Sequence, residues 1–285
     1  MVRRRVVAEP TSQLAIWARR FAVFSLPAAI IAIVIGRSGL LEFTPVLVTF
    51  GAALVLAFIG IVLAFGAFVV IWRDGLDGLG YALFALFIGV VLLGYPAYLG
   101  VKGYRLPPIS DITTDPIDPP RFETIARVRT RDANPVAYAG LYAAELQHAA
   151  YPDVEPLFID ANAQAAYDAT MTVLTKRRRW RVIDQRPPLP GRREGHIEAV
   201  ARTAIMGFPE DVVVRIRADG EGARVDARSA SRYGRYDFGT NASRIKSLLE
   251  EIDDVASADK EKSERPAKPA QKPGSTNSNR QSGKR

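Results

Sequence analysis

Three long apolar stretches near the beginning of the chain constrain its fold more than any other feature. Residues 21–36 contain a single polar residue, Ser25, and residues 45–71 and 79–101 contain no charged residue. An α-helix rises about 1.5 Å per residue, so about 20 apolar residues cross the roughly 30 Å hydrocarbon core of a bilayer. We therefore predict that residues 16–102 form three transmembrane helices, near 16–37, 45–71 and 79–101.

The first stretch has an alternative interpretation as a cleaved signal peptide, because a basic start followed by an apolar run is typical of one. No small-x-small cleavage site follows Ile35, however, and two further apolar stretches come after it. We therefore favour three spans. The second and third stretches contain no ionisable residue, which indicates a membrane anchor rather than a pathway for ions or protons.

Basic residues are unevenly distributed around the spans, and loops rich in Lys and Arg stay on the cytoplasmic side. Only Arg37 follows the first span, whereas five arginines precede it or lie at its start: Arg3, Arg4, Arg5, Arg19 and Arg20. Residues 1–15 are therefore predicted to form a basic cytoplasmic N-terminus. With three spans, the chain after residue 102 lies in the periplasm, outside the inner (plasma) membrane of a bacterium. The absence of cysteine is compatible with that oxidising compartment.

The net charge of +8 and the pI of about 9.8 would suggest a nucleic-acid partner if the charge lay on the folded domain. Residues 103–256, however, contain 22 Lys and Arg against 23 Asp and Glu. We therefore expect no nucleic acid among the partners, and we expect the lipid bilayer to be one. Residues 257–285 carry no apolar side chain besides alanine and proline, so we predict a disordered basic tail.

Proline and hydrophobic periodicity divide the remaining chain. Residues 103–122 contain five prolines and are predicted to form an extended linker or strap, followed by a soluble α+β domain at 123–256. Alternating apolar residues predict four strands, near 180–184, 196–204, 212–218 and 223–230. Helical spacing predicts helices near 137–148, 161–178 and 241–255. The predicted fold is a four-stranded antiparallel sheet with helices packed on one face.

The chain contains no recognisable catalytic motif. Its two histidines, His148 and His196, have no partner at a metal-binding spacing. The sequence also lacks a Gly-x-Ser-x-Gly elbow, a cysteine nucleophile, a His-Glu-x-x-His helix and a glycine loop for phosphate. We therefore assign no catalytic residue, no metal ligand and no cofactor.

The passage "RSASRYGRYDFGTNASRI", which begins at Arg228, is unusually polar for a folded domain. Together with "ITTDPIDPPRF", "AYPDVEPL" and "ARTAIMGFPEDVVVRI" upstream, it resembles the bacterial family called domain of unknown function 1499. The four segments extend over residues 112–245, so the resemblance covers the soluble domain. It implies that a three-span anchor is compatible with the family, and it implies no substrate because the family has no established activity.

Two interpretations of this passage remain open. Capping explains part of it, because Asp237, Thr240 or Asn241 can accept hydrogen bonds from the free N–H groups of the final helix. The other hypothesis is a small pocket for an anionic or polar ligand, with Asp237 holding an arginine in place. Its predicted ligand-binding residues are Ser231, Arg232, Asp237, Asn241 and Arg244.

Two function classes follow from these observations. We favour a membrane-tethered binding or structural module of the cell envelope, with a small ligand or an envelope protein as its partner. The alternative is an envelope hydrolase or transferase with an unrecognised active site. The first is preferred because no set of residues offers a nucleophile with an adjacent base.

Overall fold

The computed structural model describes residues 10–189 and 194–264. Its first hundred residues form three helices, α1 (Gln13–Ser38), α2 (Phe43–Asp74) and α3 (Leu79–Arg105). All three are long and apolar enough to cross a membrane, which confirms the predicted three-helix region and indicates membrane association. Most of the predicted basic N-terminus, residues 1–9, lies outside the described residues.

Small side chains form the interior of this three-helix bundle, while large apolar side chains face outwards. The buried contact is made by seven alanines: Ala15, Ala18, Ala22, Ala64, Ala67, Ala82 and Ala85. A methyl group added at Gly89 would lie 2.3 Å from Ile61 Cγ1, so α2 and α3 approach closely there. Phe24 and Phe87, by contrast, are more than 60% exposed. Small residues inside and bulky apolar residues outside are typical of helices that pack within lipid.

The second part of the chain is an antiparallel sheet with four helices. In chain order its elements are β1 (Asp111–Thr113), α4 (Thr124–Val128), α5 (Leu141–Ala150), β2 (Leu157–Ile159), α6 (Ala163–Lys176), β3 (Trp180–Arg186), β4 (Glu194–Arg202), β5 (Pro209–Asp219), β6 (Gly222–Ser231) and α7 (Thr240–Glu264). The strand order is β1-β6-β5-β4-β3, and β2 pairs with the same edge of β6 as β1 does.

The sheet has six strands in the described residues, so the predicted four-stranded sheet was incomplete. Strands β3 to β6 correspond to the four predicted ones. The two additional strands have three residues each, which is too short to show an apolar alternation in the sequence. Strand β1 also lies within the predicted linker at 103–122, and α3 occupies the first three residues of that linker.

Both faces of the sheet are covered. Helices α6 and α7 pack on one face over a core that includes Leu174, Ile197, Val214 and Ile245. Residues 114–136, which include α4 and which we call the covering segment, lie on the opposite face. There Phe122 and Ile125 contact Val213 and Ala230. Helices α6 and α7 therefore lie on one face of the sheet as predicted, whereas α4, a short helix that the sequence patterns did not indicate, lies on the other.

Helix α7 is longer than the sequence periodicity indicated. It ends at Glu264, so residues 257–264 are helical and the predicted start of the disordered tail was wrong. This added segment, "SADKEKSE", consists mostly of residues with good helix propensity, which extends the helix without an apolar face. The rest of the predicted tail, residues 265–285, lies outside the described residues.

The domain contacts one end of the helical bundle through hydrogen bonds. The Arg37 guanidinium, at the end of α1, donates to the carbonyl oxygens of Ala204 and Ile205 at 2.9 and 3.1 Å. Near the end of α3, the Lys102 ammonium donates to the carbonyl oxygen of Phe238 at 2.8 Å. The loop between β4 and β5 and the turn before α7 are therefore both attached to the bundle.

Aromatic rings complete this contact. Phe43, at the start of α2, stacks on Tyr233 with ring centroids 4.6 Å apart and an interplanar angle of 7°. The ring of Phe208 contacts the ring of Phe43 edge-on, with centroids 4.8 Å apart. The domain is thus packed against the bundle, and it is not merely tethered to it through residues 106–110.

Candidate functional site

The turn between β6 and α7 carries the residues predicted to bind a ligand. Asp237 accepts hydrogen bonds from the backbone N–H groups of Gly239 and Asn241 at 2.9 and 3.0 Å. It therefore caps α7, as one of the two interpretations expected. Its predicted contact with an arginine was wrong, because Arg244 pairs with Glu210 instead. Gly239 and Phe238 both have positive φ angles, 76° and 52°, which the tight turn requires.

Three of the predicted residues lie with two others in a buried cluster. We call it the α7 clasp, and its members are Ser231, Asn241, Arg244, Ser229 and Glu210. Asn241 accepts from the Ser229 hydroxyl at 2.8 Å and donates to the Ser231 hydroxyl at 3.0 Å. Ser231 in turn donates to Glu210 at 3.1 Å. Arg244 donates to Ser229 at 2.8 Å and forms an ion pair with Glu210. The clasp thus links β5, β6 and α7 through side chains alone.

Arg232, the remaining predicted residue, lies on the other face of the sheet. Side chains alternate along a strand, so Ser229 and Ser231 point to α7 while Arg232 points away from it. Its guanidinium contacts the carboxylate of Asp211 at 2.7 Å, and Arg129 contacts the same carboxylate at 2.6 Å. The structure therefore removes Arg232 from the predicted pocket.

The α7 clasp is closed by its own members. Ser229 and Asn241 are fully buried, and the carboxylate of Glu210 is matched by Arg244 and Ser231. A saturated cluster of this kind rigidifies a fold, whereas a binding site has donors left for its ligand. Ligand binding at this position stays a prediction.

A second polar cluster lies between the sheet and the covering segment. Asp226 is fully buried and accepts from Arg215, Arg217 and Arg224 at 3.1, 2.9 and 2.9 Å. Asp115 of the covering segment adds a second carboxylate to these arginines. Arg215 and Arg217 alternate with the apolar residues of β5 and therefore point away from α7, towards the covering segment.

Glu198 anchors the covering segment to β4. Its carboxylate accepts from the backbone N–H groups of Glu123, Thr124 and Ile125 at 2.6, 3.0 and 2.7 Å. His196 Nε2 lies 3.0 Å from its Oε1. Burial disfavours the charged carboxylate, but these hydrogen bonds outweigh burial and lower the pKa of Glu198 to about 2. His196 is buried and paired, so it belongs to this contact.

The ligand atoms of Asp184, His196 and Glu198 lie within 4.8 Å of one another, which raises the question of a metal site. The oxygens of Glu198 already accept three backbone hydrogen bonds. The guanidinium of Arg186 lies 3.1 Å from the carboxylate of Asp184 and supplies the positive charge there. A divalent cation at this position would lie close to the Arg186 guanidinium, which Glu123 also holds in place at 2.7 Å, and the like charges would repel each other. These residues therefore suit the arginine better than a divalent metal.

An open groove of about 340 Å³ lies between α7 and the segment that leads into β2. Its floor is apolar and is formed by Val154, Leu157, Ile245 and Leu249. Its rim carries four carboxylates and one ammonium group, those of Asp153, Glu155, Glu250, Asp253 and Lys246. We call it the β2–α7 groove. It combines an apolar surface with excess negative charge.

Comparison with known proteins identifies a family for the domain. Residues 111–252 match the family model described as protein of unknown function (DUF1499), which confirms the resemblance that the sequence motifs indicated. No curated protein matches the chain.

Two solved structures are similar to part of the chain. CalU16 from Micromonospora echinospora is 13% identical, and the match covers 38% of this chain and 82% of that one. TTHA0849 from Thermus thermophilus is 14% identical, with 36% and 95% covered. The TM-score is 0.22 in both cases, so neither structure bears on the function of this chain.

Proposed function

Residues 111–252 belong to the DUF1499 family, and we propose that this chain holds its family domain against the periplasmic face of a bacterial inner membrane as a binding or structural module. The observation that carries this proposal is the packing of the domain on one end of the three-helix bundle, through Arg37, Phe43 and Lys102. A domain attached in this way keeps a fixed orientation relative to the bilayer.

The charge distribution supports the proposed orientation. Arg19, Arg20 and Arg73 lie at the end of the bundle away from the domain, and three further arginines precede α1 in the sequence (Arg3, Arg4 and Arg5), whereas the end on the domain side carries Arg37, Lys102 and Arg105. Basic residues are retained on the cytoplasmic side. The domain would therefore lie outside the cytoplasm.

The polar interior of the domain supports binding or scaffolding over catalysis. The carboxylates of Glu198, Glu210, Asp211 and Asp226 are all engaged by arginines, hydroxyls or backbone N–H groups. A catalytic carboxylate or base needs access to a substrate. These groups stabilise the fold instead.

We propose the β2–α7 groove as the binding surface. Its apolar floor and acidic rim suit a ligand that is both basic and partly apolar, such as a cationic peptide segment of an envelope protein. This ligand class differs from the anionic ligand expected at the turn before α7. Glu250 and Asp253 lie one helical turn apart on the same side of α7 and would contact such a ligand directly.

Reporter fusions test the location. A reporter that is active only in the cytoplasm should be silent when fused after Glu264, the last described residue of α7. The same reporter fused after Gly75, between α2 and α3, should be active. Activity after Glu264 would reverse the proposed orientation. Release of the full chain from membranes by alkaline carbonate would contradict the membrane anchor itself.

Charge-reversal variants test the binding surface. The full chain, purified gently from its native membrane, should retain a basic partner that mass spectrometry identifies. The variants Glu250→Lys and Asp253→Lys should lose that partner, whereas Asp254→Lys, exposed on the same helix but outside the groove, should keep it. Equal retention by all three variants would exclude the groove. Turnover of a copurified small molecule would favour the alternative hydrolase or transferase.

A further inference from the structure

A second groove, of about 430 Å³, lies at the other end of the molecule, between the beginning of α1 and the beginning of α3. Arg19 and Arg20 form one part of its lining and Tyr81 another, while Ile16, Val23 and Phe24 supply an apolar wall. This α1–α3 groove lies on the bundle and has no contact with the polar clusters of the domain.

The two arginines of this groove have no acidic partner among the described residues. The guanidinium of Arg19 lies over the ring of Tyr81, 4.7 Å from its centroid, and that of Arg20 lies over Trp17 at 4.8 Å. Contacts with aromatic faces orient a guanidinium but leave its five N–H donors unused. Elsewhere in the described chain, arginines near carboxylates form ion pairs, as Arg73 does with Asp74. Within the part of the chain that the structure describes, the groove therefore presents two oriented cations without an anion.

The position of the apolar wall restricts what that anion can be. Val23 and Phe24 lie one helical turn further along α1 than Arg19 and Arg20, towards the middle of the candidate span. Their side chains are 46% and 68% exposed. An occupant that satisfies the whole groove therefore carries negative charge at one end and an apolar chain at the other.

We propose that the α1–α3 groove binds an anionic phospholipid, with the phosphate between Arg19 and Arg20 and one acyl chain along Val23 and Phe24. This inference rests on the proposed membrane location, because the groove would then open to the leaflet on the N-terminal side. Guanidinium groups bind phosphate through paired hydrogen bonds, and cationic residues next to a span attract anionic lipids. A zwitterionic headgroup would bring a positive ammonium group towards two arginines, and the described lining residues include no carboxylate to receive it.

Native mass spectrometry of the full chain in neutral detergent tests this proposal with defined lipids. Titration with phosphatidylglycerol and with phosphatidylcholine should show at least about tenfold tighter retention of phosphatidylglycerol, which corresponds to about 1.4 kcal/mol. The double variant Arg19→Gln/Arg20→Gln should lose this preference. Arg73→Gln is the matched control, because Arg73 lies at the same end of the bundle, outside the groove, and should leave it unchanged.

Three outcomes would overturn the proposal. Equal retention of the two lipids would exclude headgroup recognition, and a double variant that behaves like the native chain would exclude this groove. Displacement of phosphatidylglycerol by millimolar inorganic phosphate alone would assign the arginines to a free anion. Because carbonate extraction tests the anchor separately, a chain that stays in the membrane but shows no lipid preference contradicts only this inference.

Discussion

Arg228 of β6 and Asp111 of β1 form a two-point ion pair in the interior of the domain, with Nε to Oδ1 at 2.9 Å and Nη2 to Oδ2 at 2.6 Å. The same guanidinium donates to the carbonyl oxygens of Pro120 and Val136, which both belong to the covering segment. One buried side chain thus joins the sheet, the short edge strand β1 and the segment that covers the sheet.

Replacement of Arg228 should therefore destabilise the whole domain. Arg228→Ala leaves the largely buried carboxyl group of Asp111 without its guanidinium partner, and we expect a loss of about 3 kcal/mol in the free energy of unfolding. Arg228→Lys keeps the charge but loses the two-point geometry, so its effect should be intermediate. Chemical denaturation of the full chain in detergent measures both. Arg121→Ala, at an exposed position nearby, is the control, and an equal loss there would contradict the role of the ion pair.

The ion pair between Arg228 and Asp111 also predicts where the N-terminal boundary of an independently folding fragment lies. A fragment covering 107–264 keeps β1 and the covering segment, and we expect a cooperative thermal transition by circular dichroism. A fragment covering 155–264 retains the longer strands but exposes Arg228 and Arg215 without Asp111 and Asp115. It should melt broadly or not fold. A cooperative transition in the shorter fragment would show that the covering segment is dispensable.

The α7 clasp provides a direct test of the predicted anion pocket. Arg244→Ala removes the ion-pair partner of Glu210, and Arg232→Ala removes one of the two arginine partners of Asp211, so both variants should lower the melting temperature. Arg179→Ala, which is exposed, should not. We expect neither sulfate nor phosphate to stabilise the native chain specifically. Stabilisation by an anion that Arg244→Ala abolishes, and Arg179→Ala does not, would establish the pocket and contradict a purely structural clasp.

Glu198 should make the stability of the domain depend on pH in the acid range. Its pKa is lowered from 4.5 in the unfolded chain to about 2 in the folded one, so the ionised carboxylate stabilises the fold. This contribution is fully present above about pH 4.5 and is lost as the pH falls through about 2. Denaturation curves of Glu198→Gln should show lower stability at pH 7 and a smaller change between these limits. Glu123→Gln, whose side chain is half-exposed, should keep the native pH profile.

The position of the domain relative to the bundle can be measured with spin labels on introduced cysteines, because the chain has no cysteine of its own that would also react. Spin labels at Trp72→Cys and Leu141→Cys, both highly exposed, report the distance between the far end of α2 and the domain. In the native background the distance distribution should be narrow. Phe43→Ala combined with Arg37→Ala should broaden it, since the ring stacking and both carbonyl contacts are lost. A narrow distribution in that variant would mean that other contacts fix the domain.

Sequence patterns predicted well those parts of the fold in which a repeated feature extends over many residues. The three apolar helices and strands β3 to β6 have such patterns, and the structure confirms them. Strands β1 and β2 have three residues each, so no alternation could develop, and their partner is the distant edge of β6. The end of α7 was missed because "SADKEKSE" is polar all round, although its residues favour a helix.

The candidate site was predictable only in part. Asp237 has a capping residue type before a helix, and the structure uses it as a cap. The partner of Arg244 is Glu210, which is 34 residues away in the chain and which no local pattern connects with it. Arg232 was predicted to line the same pocket as Ser231, yet strand alternation sends these adjacent side chains to opposite faces.

Reading the residues in order was enough to identify the segments that are apolar enough to enter a membrane, the residues that alternate along the central strands, and the family of the domain. These properties depend on local composition and order alone. The tertiary structure decided which charged side chains meet, and therefore that Glu210 pairs with Arg244, that Asp111 pairs with Arg228, and that the end facing the domain is the one with Arg37 and Phe43. The physical reason is that ion pairs join residues far apart in the chain, and only the folded backbone brings them within hydrogen-bond distance.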